Sequence, residues 1–368
     1  MRVHFVLPQL LPYYGMEKAA ALLLRALADR GHEVSASVVS GGLPPAVADM
    51  AVELLMVHRT RLRLGRTVRG LRRCLTSLPE DTVIVACGLW AAAPVAAALV
   101  GTGRSYVAWE HSVLPARLRG DRRVAFLFRV VGMPLLRPRQ VVAVSAGVGR
   151  TVAARWPGVP TSVIANIVET ADVPPPPARR AAADERVRLL TAGAFRASRN
   201  YACAINALRH LPDRFVLRMA GDGPQAAHLR ALVERTGLAG RVEFVGRVPS
   251  VAPLLAESHL LVNSSFAETF GFGLVEAAEA GVPVATVNAA AVDEMVPRYV
   301  PGTMAADISP RALARAIEEA TARAPTEAEI TRAWRCRVRD FSPRTVTDLW
   351  GAVLRTADGR VGVGRPAP

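Results

Sequence analysis

The sequence is short of the residues that many binding chemistries require. Lys18 is its only lysine, so the rest of the positive side of a +15 formal charge over 368 residues is arginine. Aromatics make up 5%. That is too few to interleave the basic stretches with base-stacking platforms, which argues against a nucleic-acid binder despite an isoelectric point of 11.0. Cys74, Cys87, Cys203 and Cys336 include no C-x-x-C pair, which excludes a disulfide framework and a thiolate metal site and fits a reducing, cytoplasmic setting. D-x-D, H-x-x-x-H and clustered carboxylates are absent, so no metal or other cofactor is expected. G-x-G-x-x-G is absent too, which removes the dinucleotide fingerprint. Thr82 to Gly103 is uncharged and long enough for a membrane span of roughly 20 residues. Gly88 and Pro94 interrupt it, and it reads as a strand followed by a buried helix, so no transmembrane helix is expected. The start, with one charge and an early Pro8, reads as a first buried strand rather than a signal peptide.

What is present is apolar and periodic. Hydrophobic residues make up 51%, which excludes disorder as the dominant state, and the length suits two domains. Short apolar runs at Val3–Leu7, Val34–Val39, Val83–Ala86, Tyr106–Trp109, Val141–Val144 and Ser162–Ala165 alternate with helical stretches, the first at Glu17–Arg30. After a four-proline run the alternation restarts at Val187–Thr191, Phe215–Ala220, Val242–Val245, Leu260–Asn263 and Val284–Val287. Strands alternating with helices imply an α/β fold of parallel sheets. The expectation is two Rossmann-like domains facing a cleft: residues 1–172, a proline-rich linker 173–186, residues 187–340, a helix 341–357 returning to the first domain, and a flexible tail 358–368. Residues 1–180 carry a net +12 and residues 181–368 a net +3, so the halves are expected to do different jobs.

The densest chemistry lies between Asn263 and Pro283. A strand ends at Asn263, and a loop leads into a helix near Gly271. Gly271 and Gly273 let a ligand approach the backbone, and amides at a helix start with the helix dipole suit a diphosphate. Glu268 before the helix and Glu276 within it could accept hydrogen bonds from sugar hydroxyls on either side of that anion. On spacing alone, a helix with a solvated glutamate and two packing glycines fits equally well.

Glu268 to Glu276 resembles the E-x7-E motif of retaining GT-B glycosyltransferases of family 4, and A-G-V-P-V at 280–284 resembles its continuation. M-A-G-D-G-P at 219–224, V-E-F-V-G-R-V at 242–248, V-V-A-V-S at 141–145 and V-I-A-N at 163–166 are similar to further family segments. The segment from Phe341 to Trp350 resembles the family's terminal helix. The likeness covers residues 1–356 and is densest from 187 to 290.

The resemblance implies a nucleotide-sugar donor. Glu276 would hold the ribose hydroxyls, and Glu268 the donor-sugar hydroxyls with the amides of Phe270, Gly271 and Phe272. Gly246 would lie on the strand beside the base. The family's G-R-x-x-x-x-K segment is matched by Gly193 to Arg199. Ala194 stands in place of the arginine and Arg199 in place of the lysine; Arg196 would cover the missing contact to the diphosphate. Gly15, in a loop similar to G-G-x-E-[KR], would bring amides near the diphosphate. His111, after the strand ending at Trp109, resembles the family histidine at the sugar's reacting face. The implied activity is sugar transfer with retention, from a UDP, GDP, ADP or TDP donor. The acceptor would be a glycan, glycolipid or small molecule in glycolipid or polysaccharide assembly. Natural-product glycosylation or nucleotide-sugar epimerisation on the same fold stay open, with a basic nucleic-acid binder as the reading from another class. Basic segments with interleaved apolar residues at 58–73 and 117–139 are expected either to lie on the anionic inner membrane face or to form a solvated arginine-rich surface.

Overall fold

A computed structural model describes residues 1–8, 15–39, 64–112, 137–175, 185–289 and 291–357, and the backbone of 51–54. Tyr13 and Tyr14, most of both basic segments (58–63 and 117–136), the centre of the proline-rich linker (176–184) and the tail 358–368 lie outside the described residues. The chain divides into two compact units, Met1–Val168 with Asp340–Pro368, and Glu169–Arg339. The first division falls four residues before the end read from the proline run. Ala171 explains the shift: its amide donates to Glu279 (3.3 Å) and its carbonyl accepts from the Trp334 indole (3.0 Å), both in the second unit.

The first unit is a seven-stranded sheet in the order β3-β2-β1-β4-β5-β6-β7. Its strands are β1 (Arg2–Leu7), β2 (Glu33–Val38), β3 (Ala51–Leu54), β4 (Val83–Cys87), β5 (Tyr106–Glu110), β6 (Gln140–Ala143) and β7 (Thr161–Val163). Every pairing is parallel. β4, β5 and β6 are buried along their whole length, which is why they read as continuous apolar runs instead of alternating ones. The uncharged stretch after Thr82 is strand β4 followed by the helix Leu89–Leu99, which is buried on one side and exposes Trp90 on the other. No helix among the described residues is long and apolar enough to cross a membrane.

The final helix, Pro343–Ala357, belongs to this unit. It buries Val346, Trp350, Val353 and Leu354, the spacing of one helical face. Trp350 sits edge-on to Trp109 at 5.4 Å, and Phe5 lies 6.1 Å from each. An Arg30–Asp348 ion pair adds a surface tie.

The second unit is a six-stranded sheet in the order β10-β9-β8-β11-β12-β13. Its strands are β8 (Val187–Ala192), β9 (Phe215–Ala220), β10 (Val242–Gly246), β11 (Leu260–Asn263), β12 (Val284–Thr286) and β13 (Gly302–Met304), again all parallel. β3 and β13, which the apolar pattern does not signal, are edge strands of four and three residues. In each sheet the chain works outward from its first strand and then crosses to that strand's other side. The reversals fall between β1 and β4 and between β8 and β11. In open α/β sheets, ligands bind outside the carboxyl ends of the strands at such switch points.

Candidate active site

Two loops meet at the carboxyl ends of β8 and β11. The first leaves β8 at Ala192 and passes through a single 3-10 turn, Ala197–Arg199, into the helix Tyr201–Ala207. Phe195 anchors it from below, fully buried, at 5.2 Å from Tyr201 and 6.2 Å from Phe244. The Phe195 amide donates to Asp222 O, and the Gly221 amide donates to Gly246 O at 2.7 Å. Gly221 has φ +149°, and a Cβ there would lie 2.0 Å from the Gly193 carbonyl oxygen, so only glycine lets these strand ends close on one another. This packing leaves Arg196 on the exposed outer side of the loop and Arg199 half-buried on its inner side.

The second loop follows Asn263. The Phe266 amide donates to Ser198 O at 3.0 Å and the Ser264 hydroxyl to Arg199 O at 3.1 Å, which ties it to the first. The tie brings together Arg199 and Glu268, 69 residues apart in sequence, with Arg199 Nη1 donating to Glu268 Oε2 at 2.6 Å. The Glu268 carboxylate raises the Arg199 pKa further, against the opposing effect of burial.

A directional chain of side-chain hydrogen bonds stands behind the pair. Thr286 donates to Val287 O (3.0 Å) and accepts from Asn263 Nδ2 (3.0 Å). Asn263 Oδ1 accepts from the Ser265 hydroxyl (2.8 Å), and Ser265 Oγ accepts from Arg199 Nη1 (3.3 Å). Each hydroxyl has one proton, so the two outgoing bonds fix which way every donor points, and the guanidinium is the donor the chain must end on. Thr286, Ser264 and Ser265 are essentially inaccessible.

The helix expected near Gly271 runs Phe272–Glu279, with Gly271 as its N-cap at φ +88° and no side chain capping it. A Cβ at Gly271 would meet the Leu274 side chain at 2.9 Å, while one at Gly273 would meet nothing within 4 Å. Gly271 is therefore required by backbone conformation, and Gly273 leaves open space above the helix start. Phe270 is buried and stacks edge-on with Phe272 at 5.0 Å. Glu276, in the second turn, is half-buried. At its far end the helix is clamped by the fully buried Arg337, which donates to Glu279 Oε1 (2.6 Å), Tyr299 O (2.5 Å) and Ala278 O (3.3 Å).

Arg196, Arg199, Glu268, Phe270, Gly271, Phe272 and Glu276 thus lie on two adjoining segments of the second unit. Gly246 ends β10 with φ +81°, two strands away from β8. Gly15 and His111 belong to the first unit. Gly15 opens the helix Gly15–Asp29 after β1, and His111 follows β5.

His111 packs edge-on against Trp109 with ring centroids 4.4 Å apart. Burial lowers its pKa to about 3, so the imidazole is neutral at physiological pH. Beside it, sequence reasoning missed a second buried charge pair. Glu110 is completely inaccessible, and Arg155 Nη1 lies 3.9 Å from its Oε1, too far for a hydrogen bond. Both terminal nitrogens of Arg155, Glu110 Oε1 and His111 Nε2 are buried without a hydrogen-bond partner among the described residues. Burial raises the Glu110 pKa to about 7, opposed by Arg155 and the Ser112 hydroxyl. The only sequence signal was a polar residue closing each of the apolar runs that end at Glu110 and Asn263. Among the described residues, no three His, Cys, Asp or Glu side chains are grouped to hold a metal ion.

Residues 13–172 match the family model for Glycosyltransferase Family 4, and residues 186–323 match that for Glycosyl transferases group 1. The chain is 35% identical over 115 residues to a phosphatidylinositol N-acetylglucosaminyltransferase component of Arabidopsis thaliana, a match spanning 31% of this chain and 25% of that protein. Near full length, it is 26% identical over 353 residues to the lipopolysaccharide core biosynthesis glycosyltransferase LpsE of Rhizobium meliloti, covering 92% and 95% of the two chains. Among solved structures, HepE from Anabaena in complex with UDP-glucose superposes with a TM-score of 0.74 at 20% identity, covering 97% of this chain and 100% of that one. Two glycosyltransferase domain models thus match in succession along the two units, and the chain has the GT-B fold.

Proposed function

We propose that this protein transfers a sugar, with retention of configuration, from a nucleotide diphosphate donor to an acceptor in glycolipid or polysaccharide assembly. The observation that carries this is the Arg199–Glu268 pair at the β8/β11 switch point, backed by hydrogen bonds and followed at once by the Phe272–Glu279 helix start. One cation for phosphate, one carboxylate for sugar hydroxyls, and a second carboxylate eight residues on for a ribose supply complementary partners for the three parts of a nucleotide-sugar. The near full-length likeness to a lipopolysaccharide core glycosyltransferase and the UDP-glucose held by the Anabaena neighbour support the reading.

In this reading Glu276 binds the ribose, Glu268 the donor sugar, and Arg199 with Arg196 and the amides of Phe270 to Phe272 the diphosphate. These groups meet the diphosphate charge without a metal. Arginine at 199 can grip two phosphate oxygens at once, which a lysine ammonium cannot. Gly15 and His111 keep the roles the resemblance implies, with His111 acting as a neutral imidazole.

The membrane-face setting rests on the helix Leu64–Ser77. Leu71, Cys74 and Leu75 are buried there, while Arg66, Arg69 and Arg73 are exposed, an arrangement suited to anionic lipid. Flotation with vesicles containing anionic lipid tests it, and loss of binding is expected when those three arginines are replaced by glutamine.

The test of the donor site is thermal unfolding with UDP, GDP, ADP and TDP, for wild type and Glu276→Ala. A ligand at about 100 times its dissociation constant stabilises by about 2.7 kcal/mol. One nucleotide should raise the wild-type midpoint and leave the variant's unmoved. An equal rise in both removes the ribose role from Glu276, and no rise with any nucleotide contradicts the donor reading. The anomeric configuration of the product, read by NMR coupling, decides retention.

A further inference from the structure

Arg199 and Glu268 are held to one another, and they differ in what each can spare. Glu268 is 8% exposed, so its carboxylate depends on protein partners. The Arg199 side chain is 39% exposed. Among the described residues only its Nη1 makes hydrogen bonds, to Glu268 and to Ser265. Because the Ser265 hydroxyl is committed to Asn263, Arg199 cannot follow a phosphate far without loosening both bonds from Nη1.

On the donor reading above, on which this inference rests, two ligands compete for this arginine: the intact nucleotide-sugar and the nucleoside diphosphate left after transfer. They share the base, the ribose and both phosphates. They differ in charge, since the free terminal phosphate ionises a second time near pH 6 whereas the esterified one cannot. They differ also in what they offer Glu268. The sugar brings hydroxyl donors to the carboxylate as the phosphates draw on the guanidinium. The free diphosphate draws on the guanidinium, brings more negative charge, and leaves a buried carboxylate with only the Thr269 amide, 3.4 Å from its Oε1, the situation in which a broken pair is most unfavourable.

We propose that the Arg199–Glu268 pair discriminates between donor and spent product, favouring the intact nucleotide-sugar over its own nucleoside diphosphate. Glu268 is then a specificity residue as well as a sugar contact. Its negative charge expels the product once the sugar has left, and the diphosphate is a weak product inhibitor.

The test is calorimetric titration of wild type and Glu268→Gln. The ligands are UDP-glucose, UDP-N-acetylglucosamine, GDP-mannose, ADP-glucose and TDP-glucose, each beside its matching diphosphate. For the nucleotide-sugar that wild type binds most tightly, affinity should exceed that of its diphosphate by about 10-fold or more. In Glu268→Gln, which keeps the shape and removes the charge, the diphosphate should tighten by about 10-fold and the preference should collapse. Should the glutamine variant lose cooperative unfolding, Glu268→Asp, which withdraws the carboxylate by one methylene, must shift the ratio the same way. An unchanged ratio, or equal weakening of both ligands, overturns the discrimination while leaving the donor site intact. If wild type binds none of the ligands, the donor reading fails and this inference fails with it.

Discussion

The two units carry the same kind of parallel sheet, yet the charge pairs at their strand ends are in opposite condition. After β8 and β11, every polar side chain from Thr286 through Asn263 and Ser265 to Arg199 and Glu268 has a partner whose direction is fixed. After β5, Glu110 and Arg155 face each other at 3.9 Å, and buried atoms of both, with His111 Nε2, lack hydrogen bonds among the described residues. A satisfied chain holds a cation at a defined place and suits rigid recognition of a ligand that always looks the same. Unsatisfied buried charge holds its protonation state only weakly. The contrast assigns preorganisation to the second unit and ionisation sensitivity to the first.

The largest effects should come from breaking the satisfied side. Arg199→Ala removes charge-assisted bonds that contribute about 1.5–3 kcal/mol each. It should weaken nucleoside diphosphate binding about 100-fold while the bare nucleoside is unaffected. Equal losses in the two titrations would make the arginine structural.

Next is Glu110→Gln. The folded-state pKa, about 7, lies above that of an exposed glutamate. Between pH 4.5 and 7 the native state therefore keeps a proton that the unfolded chain has released. Stability consequently falls as pH rises through that window, by at most about 3 kcal/mol, and the glutamine variant escapes the loss. Urea unfolding should show the variant gaining on wild type from pH 5 to pH 8; parallel profiles would mean that Glu110 does not titrate in this window.

Ser265→Ala should be milder. It removes the hydroxyl donor to Asn263 Oδ1, which keeps the Ser265 amide at 3.4 Å, and one of the two bonds from Arg199 Nη1, costing about 0.5–1.5 kcal/mol per bond in chemical denaturation, with nucleotide affinity reduced several-fold. Unchanged affinity would mean that Arg199 is positioned by Glu268 alone. The smallest expected effect is none at all: the His111 ring protons should not titrate between pH 5 and 8, given a pKa near 3. A midpoint near 6.5 by NMR would show that the imidazole is solvated and free to carry a proton.

These pairs also mark where the sequence stopped being readable. Central strands such as β4 and β5 are buried on both faces, and their unbroken apolar runs announce them. β3 (A-V-E-L) and β13 (G-T-M) are short edge strands whose composition carries no such signal. Glu268, Glu276 and Arg199 stand out through their resemblance to the E-x7-E and G-R-x-x-x-x-K segments of family 4 glycosyltransferases, whereas spacing alone leaves them open. The bond between Arg199 and Glu268 does not stand out, nor does the support from Ser265, Asn263 and Thr286. The two bonds from Arg199 arise only when β8 and β11 become neighbours in the sheet, bringing together residues more than sixty positions apart, and the Asn263–Thr286 bond needs the pairing of β11 with β12. Glu110 and Arg155 meet the same way, through the β5–β6 pairing and the helix Ala146–Arg155 that follows β6.

On the proposed function, the strand ends of β8 and β11 in the second unit bind the nucleotide-sugar. Hydrogen exchange read by mass spectrometry, with and without a saturating nucleotide-sugar, tests it most directly. Exchange should slow in residues 193–200 and 264–276, and Arg199→Ala should abolish that protection. Protection confined to the basic helix Leu64–Ser77, or spread evenly over both units, would contradict it.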